Sequence, residues 1–230
     1  MALPGFIGVG AAKSGTTMLY QIMQQHKDIF MPRQKECHFF NSDEMYRYGT
    51  HYYESRFFAG HATEKAVGEI TPLYMLYEDV PARIYETLGP DVKLLFCFRN
   101  PAQRAFSNYL QNVRMLWECE SFARALEPET ARICSDYRFG MVRAYLHGGF
   151  YAQQLGNFLK YFSSENMFFV VFENDLLQHR EETIRKLFAF LEVRQDVTVN
   201  LDVSGNKSAP PKIQMVGDKP VFYEIGRAHV

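Results

Sequence analysis

A short apolar run, Phe6-Ile7-Gly8-Val9, breaks at Gly10-Ala11-Ala12-Lys13-Ser14-Gly15-Thr16-Thr17 and resumes as a helix-like stretch over 18–25. A strand that ends in a glycine-rich turn and restarts as a helix aims several backbone N–H groups, and the positive end of the helix dipole, at one point where an anion can sit. The nucleoside-triphosphate form of this loop is G-x-x-x-x-G-K-[ST], with lysine directly after the second glycine. Here Gly10 and Gly15 keep the spacing and Thr17 keeps the hydroxyl, but Thr16 stands at the lysine position and Lys13 lies within the turn. That displacement removes the usual grip on β- and γ-phosphates and disfavours an ATPase or GTPase. A strand-to-helix turn that binds nothing has the same local pattern, so other segments must decide.

Apolar runs at 6–9, 66–70, 93–98 and 167–172 read as strands buried on both faces. Stretches 18–25, 80–88, 102–116, 149–161 and 181–191 read as helices, the last with Ile184, Leu187, Phe188 and Leu191 at helical spacing. Alternation of this kind predicts an α/β fold, a central parallel β-sheet flanked by helices, with ligands at the carboxyl ends of the strands. A chain of 230 residues, 47% hydrophobic and 22% charged, suits one globular domain with a sizeable core. Its net charge of -1 excludes a broadly basic, nucleic-acid-binding surface. Cys37, Cys97, Cys119 and Cys134 are scattered with no metal-ligand spacing, so no metal site is expected and a reducing compartment is. No apolar run approaches a membrane span of about 20 residues, and five residues before the first strand leave no room for a signal peptide. The expected location is therefore cytoplasmic, with Met1 taken as the true start.

The run 93–98 leads into Arg99-Asn100-Pro101-Ala102-Gln103-Arg104-Ala105-Phe106-Ser107-Asn108-Tyr109. Pro101 fits a first helical turn, which leaves Arg99 at a strand end and Ser107 two turns into the next helix. A guanidinium fork and a hydroxyl together suit a phosphate monoester, although Arg99 or Arg104 taken alone reads equally as a solvated charge. Two phosphate sites at two strand ends, one lacking the triphosphate lysine, suit a nucleotide phosphorylated at two separate positions.

The two segments together, in this order and spacing, resemble the sulfotransferases that use 3′-phosphoadenosine 5′-phosphosulfate (PAPS), and the likeness runs from about residue 6 to about residue 212. The resemblance implies a P-loop-type three-layer fold and PAPS as co-substrate, without a metal. It also implies that Lys13, Ser14, Gly15, Thr16 and Thr17 hold the 5′-phosphosulfate and that Arg99 and Ser107 hold the 3′-phosphate. Asn206-Lys207-Ser208 is similar to the start of the family's C-terminal nucleotide loop, which gives Lys207 a phosphate to reach.

Lys35-Glu36-Cys37-His38-Phe39-Phe40 resembles in particular the heparan-type glycosaminoglycan sulfotransferases and similar bacterial proteins. That likeness implies Glu36 as catalytic base, His38 as its polar neighbour and Lys13 as the ammonium beside the departing phosphate oxygen. The chemistry is sound, since an acceptor hydroxyl loses its proton as it attacks sulfur. Gly68-Glu69-Ile70-Thr71-Pro72-Leu73-Tyr74 follows the same group, but Ile70 replaces its acceptor-associated lysine. Asn41 stands where some members carry aspartate and others asparagine. A polyanionic sugar is accordingly disfavoured as acceptor, leaving a simpler alcohol, a lipid, a small glycan or a secondary metabolite. Glu69 reads either as a second acid or as a hydrogen-bonded strand-end residue. Residues 145–151 read either as a glycine turn or as a nucleotide contact.

The expectation is thus one sulfotransferase domain over 1–224, in a natural chain that continues further, with 225–230 matching translated sequencing adapter. The same tail also reads as a genuine basic loop over the nucleotide. The competing functions are a P-loop kinase or hydrolase and a non-catalytic nucleotide-binding relative. The partners expected are the nucleotide and a small-molecule or glycan acceptor, and the sequence leaves the oligomeric state open.

Overall fold

The computed structural model describes residues 3–135, 137–203, 213–216 and 219–222. Lys207 and the 225–230 tail lie outside them. The chain divides into two compact units, one of residues 1–100 and 150–205, the other of 101–149 and 206–230.

The first unit begins with β1 (Phe6–Gly10), α1 (Thr16–Met23) and β2 (Ile29–Phe30), followed by α2 (Asp43–Arg47), α3 (Gly49–Phe57) and β3 (Ala66–Ile70). It continues through α4 (Val80–Leu88) and β4 (Lys93–Phe98), which ends at the boundary with the second unit. In the second unit lie α5 (Pro101–Arg114), α6 (Phe122–Leu126), α7 (Glu129–Ser135) and α8 (Tyr137–Val142). The first unit resumes with α9 (Tyr151–Leu159), β5 (Met167–Val171) and α10 (Arg180–Phe190). An antiparallel pair, β6 (Ile213–Val216) and β7 (Lys219–Phe222), falls in the second.

The first unit's sheet is five-stranded, in the order β2-β3-β1-β4-β5, and every pairing is parallel. Parallel strands require crossover helices, and these cover both faces, as the alternating sequence predicts. Met18, Leu19, Ile22 and Met23 of α1 pack with Ile184, Leu187 and Phe188 of α10 against Leu95, Cys97 and Val170. Phe158 of α9 meets Phe96 from the opposite face, edge to face at 5.3 Å. Strands β1 and β3 are buried throughout. Strand β5 departs from the expected double burial, because it closes one end of the sheet and leaves Phe169 and Val171 more than two-fifths exposed. Among the described residues no helix is long and apolar enough to cross a membrane.

The second unit is organised by α5. Ala105, Tyr109 and Val113 form its apolar stripe and pack with Ala125 and Tyr145. Arg104 is no solvated charge: it is 1% exposed and donates through Nη2 to the carbonyls of Ala144 and Tyr145. Asn108 and Asn112 both donate to the Val142 carbonyl, and the Glu129 carboxylate accepts from the amides of Leu146 and His147. Residues 145–147 are therefore held by buried polar groups. Arg104→Ala should leave two buried carbonyls without this donor and lower the stability of the second unit by about 1–3 kcal/mol. Urea denaturation followed by circular dichroism measures the loss.

Candidate functional site

The turn after β1 is built by register. Strand β1 runs between β3 and β4, with Ile7 opposite Glu69 on one side and Leu94 on the other. At its end the Ala11 amide donates to the Cys97 carbonyl at 2.7 Å, and the Thr71 amide donates to the Gly8 carbonyl at 2.9 Å. The carboxyl ends of three strands thereby meet. Lys13 and Gly15 take positive φ, 70° and 94°, which folds the loop back over the start of α1. A Cβ on Gly15 would come within 2.5 Å of Leu176 and 2.9 Å of Phe172, which form part of the helical turn after β5. Glycine is required there for space as well as for backbone angle.

Helix α1 starts without a side-chain cap and without an acidic residue in its first turn. Its leading N–H groups are therefore left for an incoming anion. The Ser14 hydroxyl supplies a second, independent sign: it is fully buried and has no hydrogen-bond partner. A buried polar atom without a partner is costly, and a phosphate oxygen would satisfy it. Thr16 is buried at the first helical position, while Lys13 and Thr17 are half-buried.

Arg99 reaches this turn. Its Nη1 donates to the Lys13 carbonyl at 3.1 Å, and its Cζ lies 4.8 Å above the Phe172 ring. Its Nε is buried without a hydrogen bond, 4.0 Å from Glu173 Oε1. The Tyr151 hydroxyl donates to the Arg99 carbonyl at 2.9 Å, and Glu173 accepts from the Asn100 amide at 3.1 Å. The guanidinium is thus fixed by stacking and by a bond to the loop, with donor capacity left over. Of the other candidates, Ser107 is half-buried in α5 of the second unit, and Lys207 lies outside the described residues.

The chain leading into the stretch from Lys35 to Asn41 is tied to α1. Tyr20 donates its hydroxyl to the carbonyls of Pro32 and Arg33, at 2.6 and 3.1 Å. Glu36 is paired with the Lys35 ammonium, and His38 Nε2 lies 3.7 Å from Glu36 Oε2. His38 Nδ1 sits 3.2 Å from Asn41 Oδ1, which orients the ring. Glu36 keeps a third of its side chain exposed. Burial pushes the Cys97 thiol up to about 12, and the Lys35 ammonium opposes that push. Burial beside Glu69 raises the Cys37 thiol further.

Glu69 is the hydrogen-bonded strand-end residue of the two readings. It is 1% exposed, and its oxygens accept from Tyr53, Tyr74, Thr71 and the Cys37 amide. Ile70 is core, packed over Gly8 where even a Cβ would fall 2.6 Å from its side chain. Sequence reasoning missed Lys35 as the partner of Glu36 and Phe172 as the platform for Arg99. The adjacency of Lys35 to Glu36 was the available signal for the first.

Fold and site define an α/β domain whose first turn offers backbone amides and the buried Ser14 hydroxyl to an anion. The sulfotransferase-domain family model matches residues 4–206, and the chain belongs to that family. Human heparan sulfate glucosamine 3-O-sulfotransferase 5 is 31% identical over 182 residues, 76% of this chain and 49% of that protein. Human heparan sulfate glucosamine 3-O-sulfotransferase 6 is 32% identical over 198 residues, 85% of this chain and 54% of that protein. The chain spans about half the length of these relatives. The crystal structure of a sulfotransferase from Alicyclobacillus acidocaldarius is 34% identical and superposes with a TM-score of 0.78, covering 90% of this chain and 88% of that one. Mouse sulfotransferase SULT7A1 complexed with PAP shares the fold at a TM-score of 0.56 and 18% identity, covering 85% of this chain and 59% of that one.

Gly15→Ala tests the turn. A methyl group there meets Leu176 and Phe172 in a backbone conformation that alanine resists. Affinity for 3′-phosphoadenosine 5′-phosphate (PAP), measured by calorimetry, should fall at least about tenfold.

Proposed function

We propose that the chain is the catalytic domain of a sulfotransferase that moves a sulfuryl group from PAPS to an acceptor hydroxyl or amine. The observation that supports the reading most is the bond from Arg99 to the Lys13 carbonyl, at a turn that also holds a buried, unpartnered Ser14 hydroxyl. Family membership supports it, and the buried Thr16 at the triphosphate-lysine position disfavours a kinase or hydrolase.

The donor supplies an activated sulfuryl group on a phosphate. Backbone amides at 14–17, the Ser14 hydroxyl and Lys13 hold its 5′ end, and Arg99, with Ser107 by resemblance, holds its 3′-phosphate. Lys207 keeps the phosphate-binding role that the resemblance gives it. Glu36 takes the acceptor proton as the acceptor's bond to sulfur forms. The sulfur–oxygen bond to the phosphate breaks, and Lys13 stabilises the negative charge left on that oxygen. His38, turned by Asn41, stands beside Glu36 and steadies its carboxylate.

The heparan sulfate enzymes among the relatives make a glycan hydroxyl one acceptor class. The buried Ile70 supplies no ammonium for a polyanion, which favours an acceptor of low charge. A radiolabelled-sulfate assay against a panel of alcohols, phenols, amines and glycans identifies the class, and absence of transfer to every member would contradict the proposal.

Two substitutions separate chemistry from binding. Glu36→Gln should lower kcat by at least about a hundredfold, the usual scale for losing a general base, with PAP affinity nearly unchanged. Arg99→Ala should weaken PAP binding by about 1–3 kcal/mol, as expected for a charge-assisted contact, measured by calorimetry.

A further inference from the structure

Residues 36–38 belong to no helix or strand, yet Cys37 is fully buried. Their backbone N–H groups must find partners elsewhere. The Cys37 amide donates to Glu69 Oε2 at 3.3 Å. The His38 amide donates to Thr71 Oγ1 at 3.5 Å, and the Thr71 hydroxyl donates to the same Glu69 oxygen at 2.5 Å. The Phe40 amide donates to the Tyr74 hydroxyl at 3.4 Å, which itself donates to Glu69 Oε1 at 2.9 Å. Tyr53 completes the set with a 2.7 Å bond to Oε1, and its ring stacks on Phe39 at 4.2 Å. One buried carboxylate thus collects three backbone amides of a five-residue segment, one directly and two through hydroxyls.

The backbone this network holds is unusual. Glu36 and His38 both take left-handed φ, 69° and 55°, which non-glycine residues adopt only where their surroundings over-determine them. Those two residues carry the base and its neighbour. Glu69 lies in β3 directly opposite Ile7 of β1, the strand that runs into the phosphate-binding turn. Its carboxylate therefore fixes the base segment relative to the turn through the register of the sheet.

We propose that Glu69 is the positioning residue of the transfer site: it sets the left-handed turn that aims Glu36, with Thr71 as its relay to His38. The proposal rests on the assignment of Glu36 as the base. A carboxylate is needed because four donors converge on it. An amide would offer one acceptor oxygen and turn an NH2 toward hydroxyls that now donate.

The test uses Glu69→Gln and Thr71→Val in the whole chain, with PAPS and an acceptor that the panel assay finds to be turned over. Calorimetry with PAP gives nucleotide affinity, and steady-state kinetics give kcat and KM for PAPS. Both variants should bind PAP within about twofold of wild type, keep KM for PAPS, and lose at least about tenfold in kcat, the scale of a misplaced reacting group. Added to Glu36→Gln, Glu69→Gln should cost nothing further in residual rate, because it acts through Glu36. Thr71→Val keeps the side-chain volume and serves as the folded variant if Glu69→Gln does not fold. Wild-type kcat in Thr71→Val, or loss of PAP-binding protein in proportion to loss of rate, overturns the proposal. So does a full additional loss in the double variant. High activity in Glu36→Gln alone defeats the base assignment, an outcome read separately from the Glu69 and Thr71 arms.

Discussion

Parallel pairing of β1 with β3 and β4 is the constraint on which the site depends. Each strand ends at the same edge of the sheet, so the residues next in sequence are delivered to one place: the glycine-rich turn after β1, Thr71 after β3, Arg99 after β4. Two backbone bonds, Ala11 to Cys97 and Thr71 to Gly8, close the ends of that edge. Without this alignment, residues separated by more than eighty positions could not meet, as Arg99 and Lys13 do.

The division of labour between charged groups follows from their burial. Glu69 and Arg104 are both sealed in and hydrogen-bonded to neighbouring polar groups, a situation in which charge fixes conformation. Glu36 and Arg99 are only partly covered. The adjacent Lys35 ammonium pairs with Glu36, so the 35–38 segment carries its own counter-charge while Ile70 completes the sheet packing over Gly8.

Much of this was legible in the sequence. The glycine turn, the apolar runs and the helical spacing of Ile184, Leu187 and Phe188 locate β1, β3, β4, α1 and α10 closely, because buried parallel strands and amphipathic helices leave strong periodic signals. The segments 43–57 and 122–142 gave no such signal, and their short helices α2, α3, α6, α7 and α8 were not anticipated. Helices of five to nine residues expose too little of a repeating face to be read without their neighbours. Glu36 and Arg99 stood out from motif context, and a hydrogen-bonded Glu69 was one of two readings, but the donors that meet it could not be named from the sequence. Its partners Tyr53, Tyr74, Thr71 and Cys37 are brought together only by the fold.

The central claim is that the turn at Lys13 and the arginine beside it are made for an adenosine nucleotide carrying a separate 3′-phosphate. Calorimetric titration of the whole chain with PAP, ATP and AMP tests it most directly. The account predicts that PAP binds at least about tenfold more tightly than either of the others, a free-energy gap of about 1.4 kcal/mol. Equal or tighter binding of ATP would contradict it.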